Sequence, residues 1–396
     1  MRGETVPRFL KWALGVLVVL ILVSLGVFFF VAPAEVERGM NAVIEPPPYS
    51  VSERAGELHR TLTVADLHAD SLLWGRDLLE KGTRGQVDVP RLIEGNVAVQ
   101  VFSVVSKTPR GLNIDHNTAD SDNITLLAIA QRWPPRTWIS LKERALYQAE
   151  RLKEFAAKSD GKLTMIYSRG DLERFLARRK VEPDIVAGVL ALEGAQVLEG
   201  DPANVDVLFD AGYRMMSPTH FFDNEMAGSA HGAARTGLTE AGREMIRRME
   251  ARGMIVDVAH GSMAQIDDVL AIATKPIVVS HTGVRGTCDN GRNLTDDQVR
   301  AIADKGGLIG IGFWDVAVCG TSADDIARAQ LYVANLVGAE NVGLGSDFDG
   351  AVTTPFDATG MAKITEALLK AGMSPADIGE VMGGSQVRFL METLPQ

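Results

Sequence analysis

Cysteine is scarce in this chain of 396 residues, and basic residues are fewer than acidic ones. Two cysteines, Cys288 and Cys319, are too few for a disulfide framework or for a zinc site built from thiolates. Any bound metal would therefore need histidine and carboxylate ligands. The 51 acidic and 40 basic residues give a net charge of −11, which argues against a nucleic-acid-binding surface because such a surface needs a basic patch. The hydrophobic content of 46% is typical of a globular protein with a sizeable core.

One stretch near the N-terminus, residues 12–32, contains no charged residue. A helix of this length just covers a bilayer core of roughly 30 Å. Arg2, Arg8 and Lys11 precede the stretch and Glu35 follows it, so the positive-inside rule places the N-terminus in the cytoplasm. The sequence therefore predicts a single-pass membrane protein whose remaining chain is periplasmic or extracellular.

We interpret residues 1–11 as a cytoplasmic N-terminus, residues 12–32 as an uncleaved transmembrane anchor and residues 33–55 as a spacer. The spacer contains Pro46-Pro47-Pro48 and no apolar period. A signal peptide cleaved at Ala32-Pro33-Ala34 is the alternative, although its apolar core would be long and a proline inside the site is awkward. Residues 56–396 then form one large domain, and a homodimer of that domain is an open expectation.

Short apolar and β-branched runs alternate with amphipathic helical stretches after the spacer. Eight runs are typical of strands: residues 63–68, 97–105, 185–193, 213–220, 254–260, 277–281, 308–313 and 342–347. A further short run, residues 163–167, falls outside this series. Eight buried strands, each followed by a helix, predict an α/β fold of the (β/α)₈ TIM-barrel type with insertions. A doubly wound open sheet is the alternative, because periodicity does not exclude it.

Two helices are especially well marked by their sequence. An amphipathic pattern covers Glu240–Arg252, and a second pattern covers residues 296–305. The second begins with a capping box of Thr295 and Gln298 and is followed by Gly306, a residue that commonly ends helices.

Ionisable residues stand at the carboxyl ends of the predicted strands. In the first run, the strand period of two puts Asp66, His68 and Asp70 on one side. Later runs end in further candidates: Glu193, His220, His260, His281, Asp347 and Asp349. A single histidine at a strand end is usually structural, but these ends include four of the seven histidines in the chain. Because the strand ends of a barrel meet at one face, this pattern predicts a metal-binding active site.

The other histidines receive no role in this interpretation. His59, His116 and His231 are predicted in loops or helices, away from strand ends. Asp257 is out of phase with the ligand positions of its strand, so we expect it at most to orient a ligand.

Six motifs together are specific: DLHAD, ALEG, SPTHFFDN, LTEAGREMIRRMEARGMIVDVAH, VVSHTGVRGTCDNGRNLTDD and GLGSDFDG. They extend from residue 63 to residue 350, and with them the chain resembles the membrane dipeptidases, the renal dipeptidase family of zinc peptidases within the amidohydrolase-like barrels. One departure is Gly383-Gly384-Ser385, where the family usually has an asparagine after its glycines. Residues 107–123 also match less well, which leaves the substrate side chain open.

The resemblance implies a binuclear zinc site at the strand ends. His68 and Asp70 would hold one zinc ion, His260 and His281 the other, and Glu193 would bridge both. Zinc accepts imidazole and carboxylate ligands when thiolates are absent. Two zinc ions that share a carboxylate would generate a bridging hydroxide near neutral pH, which hydrolyses a dipeptide.

The same resemblance implies roles for three further residues. His220 would stabilise the tetrahedral oxyanion. Asp347 would relay a proton to the leaving amine or bind the α-ammonium of the substrate. Arg292 would bind the terminal carboxylate with its planar guanidinium.

Two other functions stay open at this point. The first is a metal-dependent amidohydrolase that acts on a cyclic amide, a lactone or a β-lactam. The second is a surface barrel without catalytic activity, which the complete set of predicted ligands disfavours.

Overall fold

The computed structural model describes residues 7–396, so Arg2 of the predicted cytoplasmic segment lies outside the described residues. Helix α1 spans Arg8–Phe30, none of its residues is buried, and at 1.5 Å per residue it is about 35 Å long. Within the described residues, α1 alone is long and apolar enough to cross a membrane. A signal sequence near the N-terminus can meet the same criteria of length and apolar composition, so the membrane topology stays a prediction.

Within residues 7–396, nine strands form one parallel sheet: β1 Val64–Ala69, β2 Val97–Phe102, β3 Leu163–Met165, β4 Val186–Leu192, β5 Tyr213–Met216, β6 Ile255–Val256, β7 Val278–Thr282, β8 Leu308–Ile311 and β9 Val342–Leu344. Their hydrogen-bonded order is β6-β5-β4-β2-β1-β9-β8-β7, and β3 pairs with β4 outside this path. Each of the eight strands of the path coincides with one of the eight predicted runs, although β1 and β7 each extend one residue beyond theirs, and β3 lies within the additional run. The fold is thus α/β with a curled parallel sheet, consistent with a TIM-like barrel.

Hydrogen bonds also connect the two end strands of this path. Asp257, next to β6, forms an isolated parallel bridge with Val278 of β7. The amide of Val258 donates to the carbonyl of Val278 at 2.8 Å. Both faces of β1, β2 and β4 are fully buried, as is typical of a parallel sheet covered by helices.

The remaining α-helices are α2 Ala32–Met40, α3 Glu53–Thr61, α4 Val89–Glu94, α5 Ile124–Ala130, α6 Leu141–Lys158, α7 Arg169–Arg179, α8 Asn204–Asp210, α9 Glu240–Arg252, α10 Met263–Ile272, α11 Asp296–Asp304, α12 Asp315–Val318, α13 Ala323–Val337, α14 Ala362–Lys370, α15 Pro375–Gly379 and α16 Ser385–Thr393. Helix α9 has the predicted bounds. Helix α11 begins with the predicted capping box of Thr295 and Gln298. Gly306, with φ of 71°, follows its C-terminus in the left-handed conformation that favours glycine.

Part of the segment predicted as a spacer is helical and packs on the domain. Helix α2 occupies its first part, and Glu37 in this helix is only 1% exposed. The Glu37 carboxylate accepts hydrogen bonds from Arg76 Nε at 2.5 Å and from Arg84 Nε at 2.6 Å. Ion pairs therefore attach α2 to the domain. Contacts between charged residues produce no apolar period in the sequence.

Cys288 and Cys319 form a disulfide across 31 residues of sequence. The bond joins the loop after β7 to the residue that follows α12. It therefore cross-links two loops at the carboxyl end of the sheet.

Candidate active site

A buried carboxylate, Glu193, stands at the centre of the strand-end residues. Its Oε1 atom lies 3.3 Å from Nε2 of His68, 3.2 Å from Nε2 of His260 and 3.4 Å from Nε2 of His281. Its Oε2 atom lies 3.0 Å from Nε2 of His220. Glu193 directly follows β4, and parallel strands bring their carboxyl ends to one edge. The structure thus gathers all four strand-end histidines around one carboxylate.

Asp70 and Asp347 complete this cluster on the side of His68. The Nε2 atom of His68 lies 3.6 Å from Asp70 Oδ1 and 3.9 Å from Asp347 Oδ1. Three overlapping groups have the geometry to hold a metal ion, each with ligand atoms within 4.8 Å of one another: His68, Glu193 and His281; Glu193, His220 and His260; His68, Asp70 and Asp347.

These groups do not follow the predicted division of ligands between two metal ions. His68 shares a group with His281, which the sequence analysis placed on the other ion. His220, expected to contact the substrate, shares a group with Glu193 and His260. The assignment of individual ligands therefore stays a prediction.

Two carboxylates of the cluster, Glu193 and Asp347, have raised pKa values. Burial raises the pKa of Glu193 well above its usual value, and nearby Asp70 raises it further. Burial raises the pKa of Asp347 to about 8, with His68 opposing this effect and Asp70 adding to it. A cation between these groups would favour their ionised forms.

The histidines divide into one charged and three neutral side chains. Burial lowers the pKa of His68, but the charges of Glu193 and Asp70 raise it by more, to about 10. Burial lowers the pKa values of His220, His260 and His281 well below the ordinary histidine value. The lone pairs of three imidazoles are thus free to bind a metal.

Several polar atoms of the cluster are buried without a hydrogen-bond partner. They are His68 Nε2, Asp70 Oδ1 and His220 Nδ1. Because an unpaired buried polar atom is costly, such atoms indicate an ion or a water molecule. The donor set of imidazole and carboxylate, without thiolate, suits Zn²⁺. The residues present therefore fit a metal centre.

Other predicted candidates lie beside the cluster rather than in it. Asp257 accepts hydrogen bonds from Ser280 Oγ at 2.6 Å and from Ser280 N at 2.9 Å, and Ser280 Oγ lies 2.9 Å from His281 Nδ1. Asp257 thus orients a histidine through Ser280. Asp66 instead accepts a hydrogen bond from Ser346 Oγ at 2.7 Å. Asp349 is bound by other residues of the domain.

His231, to which the sequence analysis gave no role, contacts a member of the cluster. Its Nε2 atom lies 3.1 Å from Nδ1 of His260, and its Nδ1 atom lies 2.7 Å from the carbonyl oxygen of Ile114. Burial lowers the pKa of His231 to about 3, so its ring is neutral. A ring that donates from Nδ1 to Ile114 accepts from His260 at Nε2. This tautomer directs the His260 Nε2 lone pair at the cluster.

Arg292 lies in the same site, at the predicted position after β7. Its Nη2 donates to the carbonyl oxygen of His281 at 2.7 Å, and its Nη1 donates to Thr282 Oγ1 at 3.3 Å. Arg292 is 6% exposed, and burial lowers its pKa to about 10, so it stays charged at neutral pH.

A cavity of about 880 Å³ opens above the cluster. Asp70, Glu193, His220, His260, Arg292 and Asp347 all line it. Ligand sites typically have volumes of about 300–1,000 Å³. The cavity is therefore large enough for a small organic molecule in contact with the cluster and with Arg292.

A curled parallel sheet with a buried histidine–carboxylate cluster at its carboxyl end defines a class of metal-dependent hydrolases, and comparison with known proteins identifies the family. The family model described as membrane dipeptidase, peptidase family M19, matches residues 52–394. The chain belongs to this family of metal-dependent dipeptidases.

Three relatives illustrate the similarity. An uncharacterised protein from Klebsiella pneumoniae is 31% identical over 62% of this chain and 94% of its own length. Dipeptidase aclJ from Aspergillus oryzae is 28% identical over 77% of this chain and 69% of its own length. The solved metallopeptidase from Rhodobacter sphaeroides is 21% identical, covers 84% of this chain and 99% of its own, and superimposes with a TM-score of 0.67. That likeness supports the fold.

Proposed function

We propose that this protein is a zinc-dependent dipeptidase whose domain, residues 56–396, forms a closed (β/α)₈ barrel. The observation that carries the proposal is the arrangement of four histidines around Glu193, beside a cavity that Glu193 and Arg292 both line. Binding of two zinc ions is the finer part of the proposal. His68 and Asp70 would hold one ion, His260 and His281 the other, and Glu193 would contact both.

Bound zinc would supply an activated water and a Lewis acid for the scissile carbonyl. Asp347 lines the cavity 3.9 Å from His68, and a nearby cation would favour its ionised form. In that form it is suited to take a proton from the attacking water and to pass it to the leaving amine. His220 lies 3.0 Å from Glu193 at the cavity wall and is neutral. A proton on one of its ring nitrogens can donate a hydrogen bond to the oxyanion as the tetrahedral centre forms.

Arg292 explains how the site would select dipeptides. Its guanidinium is anchored to the carbonyl of His281 and the hydroxyl of Thr282, so it is positioned before the substrate binds. The terminal carboxylate of a dipeptide lies one residue beyond the scissile bond, within reach of the planar guanidinium. A longer peptide would place an uncharged amide there. The Rhodobacter sphaeroides relative is described as liganded with a phosphinate mimic of the dipeptide L-Ala-D-Ala, which supports this substrate class.

The location of the domain is also part of the proposal. A spanning α1 whose N-terminal turn, with Arg8 and Lys11, lies on the cytoplasmic side would place the domain in the periplasm or outside the cell. The disulfide between Cys288 and Cys319 favours the same side, because disulfides persist in oxidising compartments.

A substrate panel tests the proposed function. Purified full-length protein in detergent, supplied with Zn²⁺, would be assayed with free dipeptides, tripeptides, cyclic dipeptides and a β-lactam. We expect hydrolysis of the dipeptides and little turnover of tripeptides. Turnover confined to the cyclic dipeptides or the β-lactam would instead identify a cyclic amidohydrolase. No hydrolysis of any compound, with zinc bound, would favour a barrel without catalytic activity.

A further inference from the structure

The cavity above the cluster has one wall that does not come from the family domain. Val36 and Met40 of α2 line the cavity together with residues of the cluster. The family model begins at residue 52, so α2 lies before the matched region. Val36 and Met40 are four residues apart and share one face of the helix. They are 43% and 48% exposed, although both are apolar.

Buried ion pairs hold α2 in this position. Arg76 bonds both Glu37 of α2 and Asp349, and Asp349 is fully buried. Asn41, which follows α2, accepts a hydrogen bond from the amide of Ala351 at 2.9 Å. Beyond it, Val43 forms a parallel bridge with Thr354. The helix is therefore attached to the segment 349–354, so Val36 and Met40 face the cavity in a defined position.

The attachment also determines which end of a dipeptide would meet α2. Residues 350–353 line the cavity and begin three residues after Asp347, and Ala351 among them bonds Asn41 at the end of α2. The family resemblance gives Asp347 a second role, binding of the α-ammonium, which would place it beside the amino-terminal residue of the substrate. Arg292 binds the opposite, carboxylate end from the loop after β7. Helix α2 therefore lies on the side of the amino-terminal residue.

The surroundings of Val36 and Met40 are apolar. Leu73, Trp74 and Leu127 line the same cavity, and α5, which carries Leu127, packs against α2. The volume of about 880 Å³ exceeds what a dipeptide of two small residues fills. An apolar side chain that extends into this space would leave water and gain affinity.

We propose that Val36 and Met40 of α2 form a subsite for a long unbranched apolar side chain on the amino-terminal residue of the substrate. This inference rests on the proposed dipeptidase function. It gives α2, the helix that follows the proposed membrane anchor, a role in substrate selection as well as a position between the anchor and the domain.

A homologous series of dipeptides tests the subsite. The amino-terminal residue would be alanine, norvaline, norleucine or 2-aminooctanoic acid, each followed by alanine, with full-length protein in detergent. Each methylene that leaves water contributes up to about fourfold to binding. We expect kcat/KM for the 2-aminooctanoyl substrate to exceed that for alanyl-alanine by at least about tenfold. The gain should appear chiefly in KM, because ground state and transition state share the contact.

Matched variants keep side-chain size and change polarity. The double variant Val36→Thr with Met40→Gln should reduce the preference to below about threefold while alanyl-alanine is still hydrolysed. Met40→Leu should keep the preference. Ile44→Gln is the control, because Ile44 is 47% exposed in the same segment but does not line the cavity.

The possible outcomes distinguish a failure of the proposed subsite from a failure of the proposed dipeptidase function. Equal rates along the series, or a preference that the double variant keeps, would overturn the subsite and leave the dipeptidase function intact. No hydrolysis of any member by the zinc-loaded protein would overturn the dipeptidase function itself.

Discussion

Removing the negative charge from the C-terminus of the substrate tests the role of Arg292 most directly. Arg292 is 6% exposed and its guanidinium is anchored by two hydrogen bonds, so its contact with a carboxylate would be poorly screened by water. A hydrogen bond to a charged group contributes about 1.5–3 kcal/mol. Loss of about 2.7 kcal/mol corresponds to roughly a hundredfold decrease in kcat/KM. We therefore expect alanyl-alanine amide to be hydrolysed roughly a hundredfold more slowly than the free acid.

The assay compares acid and amide on three proteins. In Arg292→Met the ratio of acid to amide should fall to near one, because the discriminating group is gone. Arg285→Met, in the same loop but outside the cavity, should keep the ratio. Metal content is measured in parallel, since Arg292 donates to the carbonyl of His281. Equal rates for acid and amide in the unmodified protein, or an unchanged ratio in Arg292→Met, would refute the role.

Three further perturbations follow from the same structure. His231→Phe removes the acceptor for His260 Nδ1, so zinc affinity measured by competition should fall about 10–100-fold, whereas His116→Phe, at an exposed histidine, should have no effect. Replacing Cys288 and Cys319 by serine opens a cross-link over 31 residues, and denaturant unfolding should show a loss of about 3–4 kcal/mol; an unchanged midpoint would contradict this. The full-length protein should stay with membranes after a high-salt wash and be released by detergent, and release by salt alone would argue against a spanning α1.

The strand-end residues could be predicted because two regularities combine. Buried parallel strands show as apolar runs, and their carboxyl ends meet at one edge of the sheet. Glu193 and His281 are found where this logic places them, although His220 and His260 lie four residues beyond the last residues of β5 and β6. This reasoning predicts which residues lie near one another, but it does not predict the distances between them. For that reason the pairing of individual histidines with carboxylates did not follow from it.

Two features could not be predicted because long-range contacts between polar residues create them. His231 reaches His260 through a loop whose residue Ser229 forms an antiparallel bridge with Gly261. Glu37 stands in a polar stretch that suggested a solvated spacer, yet it is buried by Arg76 and Arg84. Neither contact produces a periodic pattern in the sequence.

The stoichiometry of bound metal tests the central claim most directly. Full-length protein purified without chelator should contain close to two zinc ions per chain by elemental analysis. Glu193→Gln should lose most of this metal, while His220→Gln should keep more of it, because Glu193 is proposed to contact both ions. A strong chelator should abolish dipeptide hydrolysis, and added Zn²⁺ should restore it. A metal content near zero, together with activity that survives the chelator, would contradict the account.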